Sequence, residues 1–469
     1  MSGIEKTLQT GAQSAFFHPA DTQENVPGTS AGQNNRHHKH DASEPRPVEY
    51  VKVCSLYGAG FYYIPGTDTC IKIGGYTRLE ANYNAGAGLN ANIAGAAGMN
   101  SSATNETTFR TRVALTTDTR TQTEYGTLRS YMRAGFNWVS DSSNAAAINN
   151  NSIYFDRGFI QFAGFTFGKT TSFFDFYDSG LYSYQTAAFN GDTGPTGQTV
   201  AAYTAQFGNG VSLSIAAEES RQAYLISSSF DGDIATTYAF NGLTRPAGQD
   251  MPDLVANLRV DQAWGSAQVM GALHKVANVG APAATDDKYG WAAGAGLTLK
   301  MPWAATDTLS LQGVYAEGAA RYAFNPAGAQ VNLRRGGEIG VGVVADAAYN
   351  GDVLDLSQAW SVAAAFQHYW TPALRSSVYG QYGKWESNSD NFDAAGNRDW
   401  NGYQIGTRTA WNPVANLEIG LDVMYTKVDT AYFSGGTVTH PNVDGVTSTN
   451  VGDTDIWSAQ FRVQRNFWP

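Results

Sequence analysis

A series of basic residues recurs along the first third of the chain: Lys72 and Arg78, Arg110 and Arg112, Arg129 and Arg133, then Arg157 and Lys169. Shortly downstream come the carboxylates Asp175 and Asp178, with Asp192 as a further acid in the same stretch. Cations and carboxylates held apart across water do not make or break bonds. They set up a transverse field that sorts solutes by size, charge and dipole. Signals for catalysis are weak by comparison. His18, His274, His368 and His440 have no spaced partner, and neither a Gly-x-Ser-x-Gly elbow nor a His-Glu-x-x-His motif occurs. The glycine-rich run GVGVVA suits a strand and has no helix after it. Asp231-Gly232-Asp233 and Asp453-Thr454-Asp455 suit exposed loop tips as well as calcium. The expectation is therefore no enzyme, no cofactor and no metal.

Positioning such charges requires elements that turn alternate side chains one way. In residues 106–118, Phe109, Val113 and Leu115 fall on one side, and Arg110, Arg112 and Asp118 on the other. In residues 124–139, Arg129, Tyr131, Arg133 and Asn137 oppose Leu128, Met132, Ala134 and Phe136. In the last segment, Trp457, Ala459, Phe461 and Val463 oppose Gln460, Arg462 and Gln464. A charge facing lipid at mid-bilayer costs about 2–4 kcal/mol, so the charged face must be an interior. Sixteen such segments follow one another from Thr69–Tyr83 to Asp455–Phe467, joined alternately by short turns and long loops rich in Gly, Asn and Asp. An even strand number and a two-sided rhythm of turns define the fold class: all-β, a 16-stranded antiparallel transmembrane β-barrel. Trp264, Trp303, Trp370, Trp411 and Trp468 lie near segment ends, where interfacial girdles belong. Arg465 breaks the alternation and fits only by reaching the rim. The run EIGVGVVA, inside the long polar loop Ala320–Gln358, has the composition of a further strand.

One connection stands apart. After FTFGKT the chain runs through residues 172–199 before the next clean strand, far beyond the usual 2–5 residues of a hairpin. It carries Phe173, Phe174, Phe176, Tyr177, Tyr182, Tyr184 and Phe189 among its acids. A solvated linker has no use for so many rings, which need a surface to pack on. The expectation is an inward-folded third loop that narrows the bore.

Composition agrees. The chain has 469 residues with 51 glycines, 13% aromatic and only 15% charged residues. Mean hydropathy is −0.31, and no run approaches the roughly 18 apolar residues of a membrane helix, as expected when only alternate residues meet lipid. A net charge of −11 argues against a nucleic-acid partner. Residues 1–47, with the run Arg36-His37-His38-Lys39-His40, lack periodicity and read as a disordered extension without the apolar segment of a secretory leader. Residues 48–70 form a second unit that contains both cysteines, Cys54 and Cys70. The pair suggests a disulfide and an oxidising compartment, with two buried thiols as the alternative. The barrel takes residues 71–468.

Particular motifs carry a resemblance. Cys54, Tyr57-Gly58-Ala59-Gly60, Phe61-Tyr62-Tyr63, Ile64-Pro65-Gly66-Thr67, Cys70 and Gly75-Tyr76 resemble the opening of the mature alphaproteobacterial general porins. The stretch FIQFAGFTFGKTTSFFDFY resembles the same family's entry to its inward-folded loop. The resemblance implies an outer-membrane homotrimer whose barrels pass small hydrophilic solutes and ions, with lipid as the surrounding partner. It also implies that Lys169 is a lumen base, although strict alternation would seat it beside Phe165 and Phe167. Two other readings compete: a soluble β-rich carbohydrate-binding or carbohydrate-active protein, and a larger gated transporter, for whose plug residues 1–70 offer no core.

Overall fold

The computed structural model describes residues 52–84, 107–139, 150–185, 188–194, 197–227, 243–244, 251–276, 287–324, 330–335, 338–349, 354–387, 399–430, 437–443 and 446–467. The proposed extension at 1–47, Trp468 and the Asp231-Gly232-Asp233 cluster lie outside these residues. Sixteen strands make the wall. The first eight are β1 (Cys70–Tyr83), β2 (Thr107–Thr123), β3 (Gly126–Val139), β4 (Asn150–Phe162), β5 (Phe165–Thr170), β6 (Gln198–Gly208), β7 (Val211–Glu218) and β8 (Asp253–Gln262). The remainder are β9 (Gly265–Val276), β10 (Lys288–Met301), β11 (Ala304–Glu317), β12 (Gln358–Thr371), β13 (Leu374–Glu386), β14 (Trp400–Trp411), β15 (Leu417–Thr430) and β16 (Thr454–Asn466). Each pairs antiparallel with its chain neighbour, and β16 closes onto β1 with Leu79 opposite Val463. Closure leaves the wall without an edge strand among the described residues, which is what a bilayer demands of a sheet.

The alternation separates two environments. Phe109, Val113, Leu115, Phe136, Ile215, Val269, Val378 and Ile405 are exposed on the outside, while Arg110, Asp118, Gln268, Gln312 and Arg408 are buried inside. A soluble protein would not present so broad an apolar surface to water, which disfavours the carbohydrate-binding reading. Exposed Trp264, Trp303, Trp370 and Trp411 line the short-turn rim. Tyr83, Trp138, Tyr289, Trp291 and Trp457 line the opposite one. These are the two aromatic girdles of a membrane barrel. Arg465 reaches the short-turn rim and donates to the Ala415 carbonyl at 2.9 Å.

The long loops depart from expectation. Ala320–Gln358 is not a polar excursion. Its Glu338–Val343 is a strand, as the run EIGVGVVA suggests, but it joins no barrel strand. It pairs antiparallel with Gln330–Arg335 and parallel with Val446–Val451 from the last long loop. Ala345–Tyr349 pairs with Tyr224–Ser227. Leu333, Val343 and Val344 pack with Phe324, Trp385 and Trp400 in one buried apolar cluster, which also takes in Phe189. Cys54 and Cys70 form a disulfide, and Tyr62–Tyr63 adds a short pairing to the start of β1.

Candidate functional site

The connection between β5 and β6 lies against the inner face of β7–β16, and wall side chains hold its backbone. Glu218 on β7 accepts from Ser172 Oγ at 2.5 Å and Phe173 N–H at 2.7 Å. Gln312 on β11 accepts from Tyr177 N–H at 2.8 Å, and Ser377 on β13 donates to the Tyr182 carbonyl at 2.5 Å. Asp422 on β15 accepts from Ser183 Oγ at 2.8 Å and Tyr184 N–H at 2.5 Å. Gln404 on β14 accepts from Ala188 N–H at 3.0 Å, and Ser458 on β16 donates to Gln185 Oε1 at 2.6 Å. A loop taken out of water must find partners for these groups, and here the barrel provides them.

Its rings supply the rest of the seat. Phe174 meets Tyr322 edge to face at 4.7 Å, and Phe189 lies 6.3 Å from Trp400. At two of the ring contacts with the wall, the wall residue is glycine. A Cβ at Gly296 would come within 2.1 Å of Phe176, and one at Gly402 within 2.6 Å of Phe189. Ring and sheet meet closely because no side chain intervenes.

Strands β1–β4 are a different surface, dominated by guanidinium groups. Glu80, fully buried, is the hub for Arg78 at 3.4 Å, Arg462 at 2.7 Å and Arg110, whose Nε lies 2.5 Å away. Asp118 takes Arg120 and Arg129, each at 2.9 Å. Asp156 takes Arg133 at 3.0 Å. Arg112 donates to Asn137 Oδ1 at 2.6 Å and stacks 4.2 Å from the Tyr154 ring centre, with no ion pair to a carboxylate among the described residues. Guanidiniums outnumber carboxylates, so this wall carries positive charge into the bore.

The expected basic site residues thus take five different placements. Arg78, Arg112 and Arg133 share the inward register; the Arg133 side chain is 27% exposed and that of Arg78 14%, while Arg112 is buried beneath its ring contact with Tyr154. Arg110 and Arg129 are committed to buried ion pairs. Arg157 staples the loop base, donating to Thr171 Oγ1 at 3.0 Å and the Gly194 carbonyl at 2.8 Å. Lys72 reaches the Ala59 carbonyl at 3.1 Å and holds the disulfide-linked segment. Lys169 pairs with Gly158 and Thr199 in the outward register of Phe167, as strict alternation has it.

The loop acids differ as sharply. Asp175 is buried against Arg221 at 2.8 Å and also binds Thr193, so it clasps the loop to the segment after β7. Asp178 is exposed; it caps the short turn Ser179–Leu181 by accepting from Gly180 N–H at 2.9 Å. Asp192 is buried, accepting from Ser179 N–H at 3.0 Å and Gly194 N–H at 2.7 Å. Burial beside Asp178 and Asp175 pushes its carboxyl up to about 7.

A search for basic residues passes over Glu80, Asp156, Tyr76 and Tyr154. Their signal was position: Glu80 and Tyr76 share the inward parity of Arg78 on β1. Arg221, Asp422, Glu218 and Gln404 carry no comparable sign, because their partner is a loop far away in sequence.

A closed sixteen-stranded wall with a loop seated inside it defines a membrane-spanning barrel. A family model described as "Porin subfamily" matches residues 41–459, and the chain belongs to that family. It is 32% identical over 140 residues to "Putative outer membrane protein y4fJ" of Sinorhizobium fredii, covering 30% of this chain and 37% of that protein. It is 31% identical over 236 residues to "Porin Omp2b" of Brucella suis biovar 1, covering 48% of this chain and 57% of that protein. The matched regions thus span roughly a third to just over half of those relatives' own lengths. The outer membrane channel DcaP of Acinetobacter baumannii shares the fold, with a TM-score of 0.58, 16% identity, and coverage of 86% of this chain and 99% of that one.

Proposed function

We propose that this protein is an outer-membrane porin: a water-filled channel for passive diffusion of small hydrophilic solutes and ions, and not an enzyme. The observation that carries the reading is the loop of residues 172–199 pinned inside the barrel on the β7–β16 side, facing a wall of arginines. Solutes pass between the two. Arg78, Arg112 and Arg133 present positive charge, Asp178 presents the opposing carboxylate, and groups across a narrow opening interact within the roughly 8 Å screening length of physiological salt. Arg110, Arg129 and Arg157 hold that arrangement in place, and Asp175 holds the loop.

The assembly in this reading is a homotrimer in lipid. A lysine on the outer wall would cost about 2–4 kcal/mol against hydrocarbon at mid-bilayer, so Lys169 supports a neighbouring subunit over β5. Cross-linking of unheated protein should saturate at three chains; a monomer in mild detergent would contradict the trimer. The channel itself is tested in planar bilayers. Purified folded barrel should give discrete conductance steps, and folded barrel that never conducts would overturn the reading.

A further inference from the structure

Across β1–β4 the inward side chains form rows. In the middle row, Tyr76, Ala114, Gly135 and Tyr154 stand opposite one another from strand to strand. The two central residues are small and the two outer ones are tyrosines. The rings therefore lean over the gap, bringing their hydroxyls to 3.5 Å. Gly135 leaves room for this: a Cβ there would lie 2.7 Å from the Tyr154 hydroxyl. One row toward the long-loop rim stand Arg78 and Arg112, directly opposite each other. One row toward the short-turn rim stand Arg133 and Arg157. Arg78 stacks 4.6 Å from the Tyr76 ring centre and Arg112 4.2 Å from that of Tyr154.

Two hydroxyls bracketed by guanidiniums, on a floor of alanine and glycine, make a shape as well as a charge. Stacking fixes the plane of each guanidinium; Arg78 already donates to Gln464 and Glu80 and Arg112 to Asn137, and the fork of the remaining terminal N–H groups matches a carboxylate. The arginines are also undercompensated. Arg78 shares Glu80 with two other arginines, and Arg112 has no carboxylate partner among the described residues.

We infer that this tyrosine-bridged cluster is a seat for the carboxylate of small organic acids, through which they bind and pass in preference to inorganic anions of similar size. The inference rests on the channel reading above and adds a substrate class to it. A seat that attracts without trapping raises flux, since conduction needs binding favourable enough to enter and weak enough to leave.

The test measures acetate-to-chloride permeability ratios from bi-ionic reversal potentials in planar bilayers. Wild-type protein should exceed the ratio of the two free-solution mobilities. Arg112→Gln should return the ratio to the mobility value. The double variant Tyr76→Phe with Tyr154→Phe keeps the rings and should lower the ratio part of the way toward the mobility value. A wild-type ratio at the mobility value, or a raised ratio that both variants leave intact, overturns the seat while leaving the channel standing. Absence of any conductance from folded barrel overturns the channel reading instead, and the seat with it. Heat-modifiable migration of each variant shows that its barrel is intact.

Discussion

The two halves of the wall use polar side chains for opposite purposes. On β7–β16, Glu218, Gln312, Ser377, Gln404 and Asp422 point inward and are consumed by the loop backbone they hold. On β1–β4, the inward groups are dominated by arginines, paired in part with Glu80, Asp118 and Asp156 and stacked on tyrosines, and the Arg133 and Arg78 side chains stay partly exposed. The difference lies in what covers each surface. One half is padded by a loop and by the apolar cap of Phe324, Leu333, Val343, Trp385 and Trp400; the other carries a stacked cationic layer. Side chains of the same polarity thus serve as loop anchors on one half and remain uncovered by the loop on the other.

The comparison is broken most severely on the padded side. Arg221 and Asp175 are both buried, and removing one partner of such a pair costs about 3–5 kcal/mol because a charge is left alone. Asp175→Asn should therefore release the loop, lowering the unfolding temperature and raising open-channel noise. A selectivity shift with unchanged noise would show instead that Asp175 acts through its field.

Asp422→Ala should come next. It strands the Ser183, Tyr184 and Tyr379 donors, and hydrogen bonds to a charged group are worth about 1.5–3 kcal/mol each, part of which the loop recovers by relaxing. Single-channel conductance should rise as the loop leaves the wall. Conductance and stability both at wild-type values would show that the anchors do not set the bore.

Asp178→Asn sharpens the comparison without disturbing the fold, because the residue is exposed and an amide can still cap the turn. The expected stability change is below about 1 kcal/mol, with a reversal potential across a salt gradient that moves toward anions. An unmoved potential would place the opposing charge elsewhere on the loop.

The smallest effect is in pH. Asp192 has its carboxyl raised to about 7, so the protonated form stabilises the buried loop and that contribution is lost as pH rises through about 7. Between pH 6 and 8 the loop should loosen slightly while the lumen gains negative charge. Cation preference should increase over that interval in wild type and stay flat in Asp192→Asn.

How much of this was legible in the sequence follows the same division. The strands were, because a residue such as Phe109 beside Arg110 has only one arrangement that satisfies lipid and lumen together. The loop was legible as a ring-rich insertion. Its seating was not: Asp175 and Asp178 look alike in sequence, and only Arg221, 46 residues onward, tells scaffold from lumen charge. The cap escaped for a related reason. The run EIGVGVVA is apolar without alternation, so its pairing with Val446–Val451 has no local signature. Lys169 shows the opposite case, where plain alternation gave the outward direction and the resemblance pointed inward.

The central claim is that solutes travel along the arginine wall and not along the padded one, and cysteine modification tests it most directly. The two cysteines are joined in a disulfide, which leaves an introduced thiol as the reactive one among the described residues. A bulky charged methanethiosulfonate reagent should cut the single-channel current of Arg133→Cys in discrete steps and leave Gln404→Cys conducting as before. Block at Gln404→Cys with none at Arg133→Cys would put the path on the other side of the loop and contradict the account.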